Sequence, residues 1–307
     1  MSEVKVNKWD ELSQFLFRGK RFTDLISTYR ALLEGFMFAI GWCKCSMKNE
    51  QFGLYGSVGK IENAKDEWQN QGANHSSVGC IIGQSLRYVG DNLFQKIQNF
   101  YNSLGVLSFD QVNYEGNIPP NQGACEFASA FTFTMNGFKN SPHLDKDALL
   151  YALGWCFQAD KRTGQIQRDT SKRCTGGKLI FPNEHFWIEL STCHGLIQVV
   201  WASSTFVHYT DPEQDNKRTT LVAMSAQCSR RLANTMCQKS HGYYEIGERV
   251  GYQIRDGHTI SCQFKEWEIC MCVGIAACWV NNGRAPENSH TNPYACEGWG
   301  QFKQFNT

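Results

Sequence analysis

Two periods of apolar and polar residues run through the chain. From Phe127 to Met135, FASAFTFTM sets Phe131, Phe133 and Met135 against Ala130, Thr132 and Thr134, the period-two pattern of a half-buried strand. Asp147 to Phe157, DALLYALGWCF, is almost wholly apolar. That suits a strand covered on both faces and equally a buried helix, which periodicity does not separate. Three runs of about 5 to 8 residues follow, 175–182, 185–190 and 195–201, rich in β-branched and aromatic residues and punctuated by Gly, Pro and Asn. Such a succession predicts consecutive strands of an antiparallel barrel.

Helical spacing precedes the barrel. Thr23-Asp24 can cap a helix in which Leu25, Ile26, Tyr29, Leu32, Leu33, Phe36 and Phe38 recur on one broad face up to about Gly41. A second helix is predicted from Asp91 to Leu104, with Leu93, Phe94, Ile97, Phe100, Tyr101 and Leu104 on one side and Gly105 as its stop. Residues 1–22 show little periodicity and read as a mobile arm. Gln51 to Gly79 is polar and Gly-rich without phosphate-loop spacing, which predicts a long covering loop with a solvated His75.

The candidate chemistry lies in His143-Leu144-Asp145 and in His208, 65 positions after the first histidine. Two imidazoles and one carboxylate on one side of a metal leave its other positions open for ligands and O₂. In an extended strand, residues i and i+2 share a face, so His143 and Asp145 can reach one ion while Leu144 turns into the apolar layer. The third ligand must come from a distant strand.

The order HLD, GGKLIFP, a strand containing Ile188-Glu189, GLIQVVWA and then VHYT resembles the fungal TET/JBP-like 2-oxoglutarate and Fe(II)-dependent dioxygenases, particularly those of rust fungi. The resemblance covers roughly residues 125–235. It implies an α+β fold with a double-stranded β-helix, a jelly-roll or cupin-like core, buttressed by N-terminal helices. It also implies Fe(II) held by His143, Asp145 and His208 as the catalytic centre, with 2-oxoglutarate and O₂ as cosubstrates. The implied substrate is a modified base in DNA, flipped out of the duplex, with 5-methylcytosine first and N6-methyladenine, a protein side chain or a small molecule as alternatives.

The barrel should then close with Arg218 to Gln227, RTTLVAMSAQ. Family spacing makes Arg218 the cation for the far carboxylate of 2-oxoglutarate, because a guanidinium can grip both oxygens. The chain departs from the fungal pattern here: Thr219-Thr220-Leu221 follows the Arg in place of a Gly-X-Ser phrase, and Ser225 comes only later. Arg230, Arg231 and Lys178 are alternative anchors. A barrel without turnover, serving as a binding module, is the non-enzymatic rival.

Composition changes this picture little. With 42% hydrophobic and 13% aromatic residues, the 307-residue chain can bury a large core, read as one dioxygenase domain over 23–257 followed by an uncertain Cys-rich tail over 258–307. A net charge of +1 announces no nucleic-acid partner, so DNA contact falls to local patches. The cations Lys161, Arg162, Arg168, Lys172 and Arg173 offer one such patch if they stand at the barrel mouth, and otherwise a solvated hairpin. The charged first residues and the 14 cysteines are read as an intracellular protein with reduced thiols, Cys156 and Cys228 among its core, and the DNA substrate that the resemblance implies would make it nuclear. The tail cysteines with His258 and His290 lack paired zinc spacing, and no segment is long and apolar enough to span a bilayer.

Overall fold

A computed structural model describes residues 3–26, 34–44, 52–104, 108–109, 127–192, 195–214, 216–226 and 228–234, with short strands at 244–247, 251–254, 276–280 and 303–304. Two antiparallel sheets face each other, and helices cover the outside of the larger one. In chain order the helices are α1 (Glu3–Gly19), α2 (Val58–Glu62), α3 (Lys65–Ala73) and α4 (His75–Ser103). The strands are β1 (Glu34–Lys44), β2 (Phe52–Leu54), β3 (Ala130–Lys139), β4 (Ala152–Asp160), β5 (Gly176–Phe181), β6 (Phe186–Glu189), β7 (Leu196–Trp201), β8 (Tyr209–Glu213), β9 (Thr219–Ala226), β10 (Tyr244–Gly247), β11 (Gly251–Ile254), β12 (Ala276–Val280) and β13 (Lys303–Gln304).

The main sheet runs β10-β11-β2-β1-β3-β9-β4-β7-β12, and the smaller one runs β13-β6-β5-β8. Alternation along β3, β4 and β9 decides what each face meets. Phe131, Phe133, Trp155, Phe157, Val222 and Met224 pack outward into one core with Leu12, Phe15 and Leu16 of α1 and Val78, Ile81, Ile82, Phe94 and Ile97 of α4. Between the sheets lies a second core built around Phe181, Ile188, Leu190, Ile197, Val199, Trp201 and Leu221. Strand β7 is buried at every position, as expected of a strand covered on both faces. This is the α+β, jelly-roll architecture expected from the sequence.

Glu213 ties the two sheets together. Its buried carboxylate accepts from the Gly137 N–H at 2.8 Å, the Thr220 hydroxyl at 3.0 Å and the Leu221 N–H at 3.3 Å. One side chain of the small sheet thus satisfies donors of β3 and β9, the condition under which a buried charge is tolerated.

Several expectations are corrected. The helix expected from Thr23 to Gly41 gives way to β1 over its second half, while 27–33 fall outside the described residues. Phe38, Ile40 and Trp42, two apart, share the outer core, and that short period wins over helical spacing once β3 supplies ladder partners from Phe36↔Met135 to Gly41↔Ala130. Gly41, at φ 98°, has no substitute there, since a Cβ would lie 2.4 Å from the Ser129 carbonyl oxygen. Residues 3–19 form α1, not a mobile arm, because Leu12, Phe15 and Leu16 are fully buried against α4 and the main sheet.

The expected covering loop at 51–79 holds β2, α2, α3 and the start of α4. Its glycines argue against helix, yet Gly72 and Gly79 are buried in helices, where tertiary packing outweighs poor propensity. Helix α4 is interrupted at Gly90, whose backbone is extended, so the expected Asp91–Leu104 helix is its second half. Gly105 lies outside the described residues. The Asp147–Phe157 run is a strand only from Ala152.

Cys156 and Cys228 are buried, as expected. Of the tail residues considered for zinc, Cys262, Cys270, Cys272, Cys296, His258 and His290 lie outside the described residues. Among the described residues, no helix is long and apolar enough to cross a membrane.

His75, expected to be solvated, is only 3% exposed and stacks on Phe109 at 4.3 Å between ring centroids. Burial pushes its pKa down to about 3, partly offset by the Phe109 carbonyl beside Nδ1. An unfolded histidine takes up its proton near pH 6.5 and this folded one only near 3, so between these values the unfolded state binds more protons. Stability should therefore be complete above pH 6.5 and fall by about 1.4 kcal/mol per pH unit below it from this group alone. Urea unfolding from pH 7 to pH 4.5 should show a shallower loss in His75→Phe than in wild type; parallel losses would remove His75 as the source.

Candidate active site

At one end of the space between the sheets, the link from β3 to β4 meets the start of β8. His143 and His208 form an antiparallel bridge, with the His143 N–H donating to the His208 carbonyl at 3.1 Å and the return bond at 3.0 Å. This bridge extends the small sheet one position beyond β8. The Asp145 N–H donates to the Ser203 carbonyl at 3.0 Å, which fixes the turn bringing its carboxylate back between the imidazoles.

The side chains converge. His143 Nε2 lies 3.5 Å from one oxygen of Asp145, and His208 Nε2 lies 3.6 Å from the other. One ligand atom from each of the three falls within 4.8 Å of the others. Neighbouring ligands about 2.1 Å from a shared ion lie about 3 Å apart, so small side-chain rotations complete a metal shell.

Both imidazoles are set up for this in the same way. His143 Nδ1 lies 2.8 Å from the Ser141 carbonyl and His208 Nδ1 lies 2.9 Å from the Phe206 carbonyl. A carbonyl only accepts, so each Nδ1 carries the proton and each Nε2 presents its lone pair to the centre. His208 is 5% exposed and is walled by Trp201 at 5.5 Å and Phe181 at 6.2 Å, whereas the His143 side chain is 38% exposed. The centre is thus held against the barrel on one side and open on the other. Two nitrogens and a carboxylate with an open face are the donor set of a non-haem iron site.

Asp147 supports the turn without facing the centre. Its carboxylate accepts from the Ser203 hydroxyl at 2.8 Å, and its carbonyl accepts from Arg230 Nε at 3.1 Å. Burial raises its pKa to about 7, and the negative charge of Asp145 adds to the rise.

The structure places the other expected site residues elsewhere. Leu144, expected in the apolar layer, is 47% exposed, because residues 144–146 leave the strand and the ligands share a side through the turn instead of the pleat. Arg218 is exposed just before β9, beside the far end of β4, where Asp160 pairs with Thr219. The triad adjoins the opposite end of these strands, and Arg218 is not among the residues that line the cavity next to it. Arg230 and Arg231 are also exposed and outside that cavity, and Lys178 lies 3.9 Å from Glu189 and over the Trp187 ring.

The cationic 160–174 segment is likewise at the end away from the triad, not at the barrel mouth. Arg168 pairs with Asp10, Lys172 pairs with Asp169, and Asp160 accepts from the Arg162 and Thr163 N–H groups. The solvated hairpin is the reading that matches. Residues missed in the sequence are Thr132, Thr134 and Ser225, which line the cavity. Their signal is the polar half of the β3 alternation, Thr132 and Thr134, and the single Ser225 late in β9.

A family model described as the Tet-like 2OG-Fe(II) oxygenase superfamily matches residues 2–213, from α1 through all three converging ligands. The chain belongs to this superfamily. The oxygenase is therefore a 2-oxoglutarate-dependent dioxygenase, with Fe(II), 2-oxoglutarate and O₂ as its cofactor and cosubstrates. The match ends before Arg218. Comparison with curated proteins gives no match. Among solved structures, a Pseudomonas putida prolyl-4-hydroxylase is similar at 10% identity, covering 75% of this chain and 89% of that one, with a TM-score of 0.30.

A metal ion at a hundred times its Kd should stabilise the oxygenase by about 2.7 kcal/mol. Asp145→Ala should lose that increment while melting near the metal-free wild type, because its carboxylate serves the centre and not either core. A melting shift with Ni(II) that survives in Asp145→Ala would remove Asp145 from the metal shell.

Proposed function

We propose that this protein oxidises a methylated base in DNA, with 5-methylcytosine as the principal substrate and the 5-hydroxymethyl base as first product, open to further oxidation. The observation carrying the reading is the convergence of His143, Asp145 and His208, each imidazole locked with Nε2 inward, in a chain of the Tet-like superfamily. These three residues would hold Fe(II). With 2-oxoglutarate and O₂, iron supplies the oxidising power for an unactivated methyl group, which protein side chains lack.

The chain's own contribution is placement. His208 and Asp145 are recessed against Trp201 and Phe181, so a methyl group inside a stacked duplex cannot approach them. The base must swing out into the mouth, as for other enzymes that act on bases. Leu144, exposed between two ligands, presents an apolar edge to whatever enters there. N6-methyladenine fits the same chemistry and would lose its methyl as formaldehyde. A nuclear location follows from a DNA substrate and is part of the proposal.

The test is nucleoside mass spectrometry after incubating the protein with Fe(II), 2-oxoglutarate and DNA carrying either 5-methylcytosine or N6-methyladenine, with succinate measured in parallel. 5-Hydroxymethylcytosine should appear, require both cofactors and vanish in Asp145→Ala. Succinate without a change in either DNA would assign the chain to a protein or small-molecule substrate. Absence of succinate with every substrate class would leave a non-catalytic barrel.

A further inference from the structure

The cavity beside the triad runs into the space between the sheets and has a volume of about 150 Å³. Two cross-strand rows form its wall on the main sheet. In the first, Thr132 of β3 lies opposite Ser225 of β9, which lies opposite Gly154 of β4; in the second, Thr134, Ala223 and Cys156 follow in the same order. The Trp201 ring packs over Gly154, Ala223 is small, and the hydroxyls supply the polarity. The first row continues to Val199 of β7, with Trp201 beyond it, and Leu179 and Leu190 on the small-sheet side complete the apolar part of the lining.

Among the described residues lining this cavity, none is Lys or Arg. The Thr132 and Ser225 hydroxyls lie 2.8 Å apart, and either can donate to the other. Whichever does, the second hydroxyl keeps its proton for a ligand, since each hydroxyl carries one donor. Thr134 Oγ1 lies 3.4 Å from the Ala223 carbonyl, a long bond that a better acceptor can displace. A dicarboxylate whose keto-acid end sits at the triad can extend its other end into this space, where a carboxylate meets hydroxyl donors.

We propose that Thr132 and Ser225, with Thr134 beside them, receive the far carboxylate of 2-oxoglutarate, so that the cosubstrate tail is held by neutral hydroxyls and not by Arg218. The proposal rests on the family's cosubstrate occupying this cavity. Hydroxyl donors grip a carboxylate less strongly than a guanidinium fork does. Selectivity for 2-oxoglutarate over 2-oxopentanoate, the same carbon chain without the far carboxylate, should therefore be only about tenfold, the scale of one hydrogen bond to a charged group.

The experiment is calorimetric titration of both 2-oxo acids into Ni(II)-loaded protein, which binds without turnover. The proteins are wild type, Thr132→Val/Ser225→Ala and Arg218→Ala, with Ni(II) uptake and melting temperature recorded for each. Wild type should prefer 2-oxoglutarate by about tenfold. The double variant should lose that preference with its 2-oxopentanoate affinity unchanged, and Arg218→Ala should match wild type. Collapse of 2-oxoglutarate binding in Arg218→Ala, or wild-type preference in the double variant, would overturn the proposal and leave the triad reading intact. Ni(II) uptake without binding of either acid would overturn both the proposal and the cosubstrate assignment. Folded protein that takes up no Ni(II) would sink the metal reading, and this proposal with it.

Discussion

Two backbone hydrogen bonds between His143 and His208 hold the active centre together. They pin the mouth of the β3–β4 link to the start of β8, and so bring residues far apart in the chain within reach of one ion. Everything else at the centre follows from that bridge. The Ser203 carbonyl sets the return of Asp145, and the Ser141 and Phe206 carbonyls set which imidazole nitrogen faces inward. Each of these partners is a main-chain carbonyl, so the donor set is preorganised by the fold itself. Side-chain rotamers are left little to decide.

Such precision requires a rigid frame, which the two cores supply. The outer core fastens α1 and α4 onto the main sheet through Leu12, Phe15, Ile82, Phe94, Phe133 and Trp155. The inner core fills the closed part of the space between the sheets, and Glu213 joins the small sheet to β3 and β9 by three donors. Residues on the two faces of one strand thus have different tasks. On β3, Phe131 and Phe133 hold the sheet to the helices, while Thr132 and Thr134 face the cavity. On β9, Met224 and Val222 serve the helix side, and Ser225 serves the cavity. A one-residue slip of either strand would exchange scaffold and site.

The open side of the centre has a different character from the closed side. His208 is sealed by aromatic rings, whereas His143 and Leu144 meet solvent. Ligands from the main-sheet side meet small residues and hydroxyls, and ligands from the mouth meet an exposed aliphatic side chain. The cations that the family pattern and the charge count had suggested for binding lie away from this axis. Their positions reflect strand direction: β4 carries the chain away from the triad, so the basic 160–174 connection and Arg218 come together at the far end of the sheet.

The sequence by itself determined the chemistry-bearing residues and the strands that carry them. His-X-Asp, a lone later histidine and the short β-branched runs are local patterns, and local patterns are what a one-dimensional reading can see. It also determined the second half of α4, where apolar spacing is clean. Only the tertiary structure decided the rest. Gly72 and Gly79 argued against helix, yet both are buried in one, and the energy of packing outweighs their propensity. Phe36 to Trp42 fitted two periods until β3 offered a ladder. His75 looked polar and solvated until Phe15 and Phe109 enclosed it. Spacing along the chain singled out Arg218 without fixing where it lies, because distance from His208 does not say which end of an antiparallel sheet a residue will occupy.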